Sequence, residues 1–137
     1  MGQEQLKCTD CLNIEIFQDR LSQLIEVSKY FIIIEPVPTF SFSVSESYLY
    51  KNTPWGENIT RPLGEWKSSV SSTIALLDKI QKSNVIRIKS ENLFCDKLEK
   101  ICFGSKDEIL LYTDSNHLTV EGTKLLIDEL VKYLTLN

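Results

Sequence analysis

The stretch Ile109-Leu-Leu-Tyr-Thr-Asp114-Ser-Asn-His117-Leu-Thr119-Val-Glu-Gly122 constrains this chain most, because three local signals follow one another in it without a break. Ile109 to Tyr112 is a short apolar run of the kind expected for a buried parallel strand. Thr119 stands where it can cap a following helix by accepting a bond from an open backbone N–H. The segment between them is held at both ends, and it carries Asp114 and the chain's only histidine, His117. In an open α/β sheet, residues just past the carboxyl end of a strand lie where ligands bind. An Asp beside a His fixes the imidazole tautomer and stabilises its protonated form, as a general base needs while activating a hydroxyl. The same pair also fits a plainer reading, in which Asp114 ends the strand and His117 packs against it.

Upstream, the first 13 residues show no periodicity and read as an untethered terminus or a cut edge. Apolar spacing then predicts a covering helix over 14–29, with Phe17, Leu21, Leu24, Ile25 and Ser28 on one face. Tyr30-Phe-Ile-Ile-Ile34 has no alternation, as expected of a central parallel strand buried on both faces. Pro36 and Pro38 stop it, since proline cannot donate to a ladder and restricts the residue before it. From Thr39 to Pro62 comes a long connection containing Tyr48, Tyr50 and Trp55, rings that either line a substrate groove or pin the loop to the body. Its serines, Ser41, Ser43, Ser45 and Ser47, read as solvated turn residues. Asn58-Ile59-Thr60 is a glycosylation sequon, informative only in a protein secreted by a eukaryotic cell.

A helix is expected over 63–82, with Trp66, Val70, Ile74, Leu77 and Ile80 or Gln81 on one face, and Ser83-Asn84 ends it. Val85-Ile-Arg-Ile88 reads as a strand nearer a sheet edge, and 93–103 as a turn or short helix. The last helix, over 120–134, should turn Leu126 or Ile127, Leu130, Val131 and Leu134 to the sheet and Lys124, Asp128, Glu129 and Lys132 to water. Gly122 falls in its first turn, where a side chain would collide with the loop or a neighbouring strand. This order of helices and strands is α/β.

Composition narrows the function. With 42% hydrophobic and 25% charged residues, the 137-residue chain is built to fold as one small domain. Fifteen Lys and Arg against 19 Asp and Glu give a net charge of -4 without a basic cluster, which disfavours nucleic acid as a partner. No apolar run approaches the roughly 20 residues needed to cross a bilayer. The start, Met1-Gly-Gln-Glu-Gln, lacks the apolar core of a secretory signal, so the chain shows no targeting signal. A receiver- or flavodoxin-type site is disfavoured, because no acidic cluster or Gly-rich phosphate loop follows the first strand. Cys8-Thr-Asp-Cys11 and the pair Cys95 and Cys102 leave two readings open, a weak zinc site with poor spacing or reduced structural cysteines.

Tyr112-x-Asp114-x-x-His117-Leu118-Thr119-x-x-Gly122 followed by a terminal amphipathic helix resembles the last conserved block of SGNH-type esterases and acyltransferases. It is most similar to the SGNH domain fused behind the membrane part of acyltransferase family 3 proteins. The resemblance implies a three-layer α/β/α fold, SGNH/flavodoxin-like, with a short, mostly parallel sheet. It makes residues 14–137 the carboxyl-terminal part of such a domain, with its N-terminal strands missing. It also implies Asp114 as orienting acid and His117 as general base of a Ser-His-Asp triad, and a disulfide between Cys95 and Cys102 suited to an oxidising compartment. No cofactor or metal is implied. The expected partners are a carbohydrate or acyl-ester substrate and a membrane acyltransferase domain, and the expected location is extracytoplasmic. Within these 137 residues there is no Gly-Asp-Ser block and no oxyanion-hole block, so the chain alone is expected to be inactive. The competing class is a non-catalytic α/β module that binds sugar or protein, with Asp114 and His117 as a structural pair.

Overall fold

The computed structural model describes residues 2–50 and 58–135, with side chains described from residue 13 onward. Trp55 and the side chains of Cys8 and Cys11 therefore lie outside the described residues. In chain order the elements are α1 (Gly2–Val27), β1 (Phe31–Ile34), α2 (Val44–Tyr50), β2 (Thr60–Pro62), α3 (Leu63–Leu77), β3 (Val85–Ile88), α4 (Glu91–Phe94), β4 (Cys95–Asp96), β5 (Ile101–Phe103), β6 (Ser105–Lys106), β7 (Ile109–Leu110) and α5 (Val120–Thr135). The fold is α/β, and contacts divide it into two units, Met1–Ile33 with Gln81–Ile86 and Ile34–Ile80 with Arg87–Asn137.

In the first unit, α1 reaches back over most of the segment read as an untethered or cut edge. Of its expected inner face only Ile25 is buried, while Phe17 and Leu24 are exposed. The carbonyls at the end of α1 need partners, and Asn84 supplies them: its side-chain Nδ2 donates to Ile25 O at 2.8 Å and to Ser28 O at 2.9 Å. Its own carbonyl accepts from Phe31 N at 2.8 Å. β1 and β3 pair as a two-stranded sheet.

In the second unit, Glu35 N donates to Ile88 O at 3.0 Å before the two prolines end the run. Glu35 is buried, and its carboxylate meets Arg87 Nε at 2.6 Å, while Arg87 Nη1 meets Asp78 at 2.6 Å. The long connection is not structureless, since α2 lies inside it. Helix α3 ends at Leu77, five residues before the expected stop, and the chain turns at 78–79.

The sheet departs most from expectation. Ile109–Leu110 does not join a parallel sheet as its third strand; β7 pairs antiparallel with β6, Ser105 opposite Leu110 and Lys106 opposite Ile109. The turn between them is two residues long, and both Asp107 (φ 51) and Glu108 (φ 65) adopt the left-handed conformation that such hairpin turns demand. Asn58 Oδ1 accepts from Asp107 N at 3.0 Å and steadies that turn, so the sequon's amide has a structural task. The segment 93–103 starts as the end of the short helix α4 and continues from Cys95 as a hairpin: β4 pairs antiparallel with β5, and β5 with β2. The core of the unit gathers Phe40, Val44, Ile59, Phe94, Phe103, Leu111 and Tyr112, and a second cluster joins Leu63, Trp66 and Cys102.

Candidate functional site

The loop carrying Asp114 and His117 is closed by backbone bonds at its base. Thr119 N donates to Leu111 O at 3.0 Å and Thr113 N to His117 O at 2.8 Å, with Tyr112 and Leu118 bridged antiparallel. Tyr112 is fully buried, edge-on to Phe40 at 5.2 Å between ring centroids, which anchors the strand end from which the loop springs. Burial also pushes the Tyr112 phenol well above its ordinary range.

Inside the loop, Asp114 serves the backbone and the ring at once. Its Oδ1 accepts from Asn116 N at 2.9 Å and from His117 N at 2.7 Å, and its Oδ2 lies 2.6 Å from His117 Nδ1. The two backbone N–H groups, then the imidazole, hold the Asp114 carboxyl down to about 2. Asp114 is therefore a carboxylate throughout the neutral range, so Nδ1–H donates to it and Nε2 is the ring atom able to accept a proton. The His117 side chain is 74% exposed, so a substrate can reach it. The ring is thus set by its carboxylate neighbour.

Helix α5 starts immediately behind. Thr119 Oγ1 accepts from Gly122 N at 3.0 Å, capping the helix, and donates to Leu110 O at 2.7 Å, which ties the cap to β7. Gly122 is obligatory for steric reasons: a Cβ there would stand 2.2 Å from Leu111 O. That carbonyl is the one that pairs with Thr119 N at the base of the loop. Leu125 and Leu126 pack on the core, whereas Ile127, Val131 and Leu134, assigned to the sheet from their spacing, are exposed.

What sequence reading missed is the backing of the loop by the segment 39–47. Phe40 N donates to Ser115 O at 2.8 Å, Val44 N to Asp114 O at 3.1 Å, and Ser45 Oγ to Thr113 O. Three successive loop carbonyls are thus held by residues about 70 positions upstream. No local pattern in the serine-rich connection signals this. Tyr48 pins its loop by donating to Glu108 O at 3.3 Å, and Tyr50 is exposed.

Cys95 and Cys102 form a disulfide across the β4–β5 hairpin, so neither is a metal-ligating thiolate. Among the described residues no group of three or more His, Cys, Asp and Glu is placed to hold a metal ion. Recesses of ligand size occur among the described residues of the second unit. One, about 520 Å³, runs along α3 past the Glu35–Arg87–Asp78 ion pairs. Another, about 400 Å³, is lined by Leu118, Thr119 and the first turns of α5. A third, about 350 Å³, lies beside the segment that backs the His117 loop.

The sequence matches the family described as SGNH domain (fused to AT3 domains) over residues 7–132, and the chain belongs to that family. The family ties it to acyl transfer or ester hydrolysis and to a membrane acyltransferase domain as partner. No curated protein and no solved structure matches it. No helix among the described residues is long and apolar enough to cross a membrane.

Proposed function

We propose that this chain supplies the acid–base half of an SGNH acyl-transfer or ester-hydrolysis site acting on carbohydrate hydroxyls, with His117 as general base and Asp114 as its orienting acid. The observation that carries this reading is the 2.6 Å contact between His117 Nδ1 and Asp114 Oδ2, in a loop whose backbone the same carboxylate organises. The family match gives the chemistry its class.

In that chemistry a serine Oγ–H passes its proton to Nε2 of His117 while Oγ attacks the acyl carbonyl. The departing alcohol takes the proton back from the imidazolium, which Asp114 stabilises. A sugar hydroxyl or water then repeats the proton transfer to release the acyl group from serine. The serine and the oxyanion donors belong to blocks that these 137 residues do not contain. The complete arrangement is a three-layer domain with a mostly parallel sheet whose N-terminal strands carry those blocks, held outside the cytoplasm beside the membrane acyltransferase domain.

The pure chain, assayed with p-nitrophenyl acetate, should show no turnover above buffer, and His117→Ala should change nothing. Paired with an SGNH segment bearing Gly-Asp-Ser, it should hydrolyse the ester, and His117→Ala should then lower kcat by on the order of 10³-fold or more. His117-dependent turnover by the chain alone, or paired activity indifferent to His117, would overturn the proposal.

A further inference from the structure

The segment that backs the His117 loop also walls the recess of about 350 Å³. Ser41 and Phe42 line it together with Thr60, Arg61 and Glu65. Phe40, also in its lining, donates its N–H to Ser115 O, so the recess borders the segment whose backbone supports the loop.

We propose that this recess is the acceptor subsite, seating a single sugar ring with Phe42 as its platform and Arg61 and Glu65 addressing the hydroxyls. The assignment rests on the acyl-transfer reading given above for its place in a reaction. Phe42 is 40% exposed, and the buried Phe40 supports it at 5.8 Å between centroids and 59° between planes. A ring fixed in that way offers a negatively polarised face to the C–H groups of a sugar at little entropic cost. The Arg61 guanidinium is anchored through Nη1 to the carbonyl and hydroxyl of Thr39, another lining residue. Guanidinium donors and a carboxylate acceptor in one lining suit hydroxyls, which both give and take hydrogen bonds.

The alternatives fit less well. An acyl chain favours apolar walls throughout, and this lining contains two charged side chains. An anionic ligand would meet Glu65 as well as Arg61. The volume of about 350 Å³ stands at the small end of the 300–1,000 Å³ range of ligand sites, enough for one ring. The larger groove along α3 has its acidic groups engaged with Arg87 and Lys67.

The test is a titration of methyl β-glucoside and of N-acetylglucosamine into the ¹⁵N-labelled chain, followed by amide shifts, with methyl butyrate as the acyl control. Saturable shifts centred on Ser41, Phe42 and Arg61 are expected for at least one sugar and none there for the ester. Phe42→Ala and Arg61→Gln should each weaken binding by roughly fivefold. Phe42 is exposed and Arg61 half-exposed, and an unchanged amide spectrum elsewhere certifies each variant's fold. No saturable shift with either sugar, an ester response at the same amides, or native-like binding by both variants would overturn the subsite. Sugar binding without His117-dependent chemistry in the paired assay would remove the catalytic reading alone. His117-dependent chemistry without sugar binding would remove the subsite alone.

Discussion

Asp114 has more contacts to satisfy than a triad acid strictly needs. One of its oxygens closes the loop through two backbone N–H groups and the other orients the ring, so the shape of the loop and the setting of the His117 ring depend on one residue. Because its folded pKa, about 2, lies below the ordinary value near 3.9, the charge stabilises the loop fully above that ordinary value. The contribution is lost as the pH falls from about 4 towards 2. A ¹³C carboxyl titration should place the Asp114 midpoint near 2, with the amides of Asn116 and His117 moving in the same window. In Asp114→Asn, which keeps an acceptor oxygen but no charge, the acid limb should vanish from those amides. A midpoint near 4 would show that the backbone bonds do not hold the carboxylate in solution.

At the scale of elements, two features of the second unit can be tested separately, the close approach of α5 to the backbone at Leu111 and the disulfide across the β4–β5 hairpin. At Gly122 the first is absolute, because the atom met at 2.2 Å is a backbone carbonyl and cannot swing aside. Gly122→Ala should cost about 1–3 kcal/mol by urea denaturation and disorder the 111–119 pairing. A variant as stable as the native chain would mean that α5 starts elsewhere. The disulfide spans a sequence separation of seven residues. In the loop-entropy treatment, closing so short a loop is worth about 2–3 kcal/mol. A double Cys95→Ser, Cys102→Ser variant should lose about that much, with the largest amide changes at Trp66 and Leu63, which pack on Cys102. The Asp114, His117, Thr119 and Gly122 relations were legible in the sequence because each partner lies within about ten residues and its role is written in residue type. The pairing of Ile109–Leu110 was not. An apolar run of four looks the same in a parallel or an antiparallel strand, and the turn that decides it uses Glu108, which seldom adopts positive φ, rather than glycine or asparagine. The clamp by Phe40, Val44 and Ser45 was illegible because it consists of long-range bonds, two of them from backbone N–H groups that every residue possesses.

For the whole molecule, the balance between charge and apolar surface decides how it behaves in solution. Val120, Ile127, Val131 and Leu134 recur on one side of α5 and are all exposed, on the side opposite Leu125 and Leu126, which meet the core. A stripe of that kind promotes association when little repulsion opposes it. The net charge of -4 at pH 7 supplies repulsion, and a pI of about 5.0 means that it disappears on mild acidification. Asp114 does not cause this, since its carboxyl stays ionised down to about 2 and the pH 5 change falls on ordinary surface groups. Sedimentation velocity should therefore show more self-association at pH 5 than at pH 7.5. A double Ile127→Glu, Val131→Lys variant adds one charge of each sign, leaves the net charge unaltered and interrupts the stripe, so it should reduce association at both pH values. Equal association of variant and native chain would place the contact on another surface. Association that grew with pH would show that apolar contact is not what drives it.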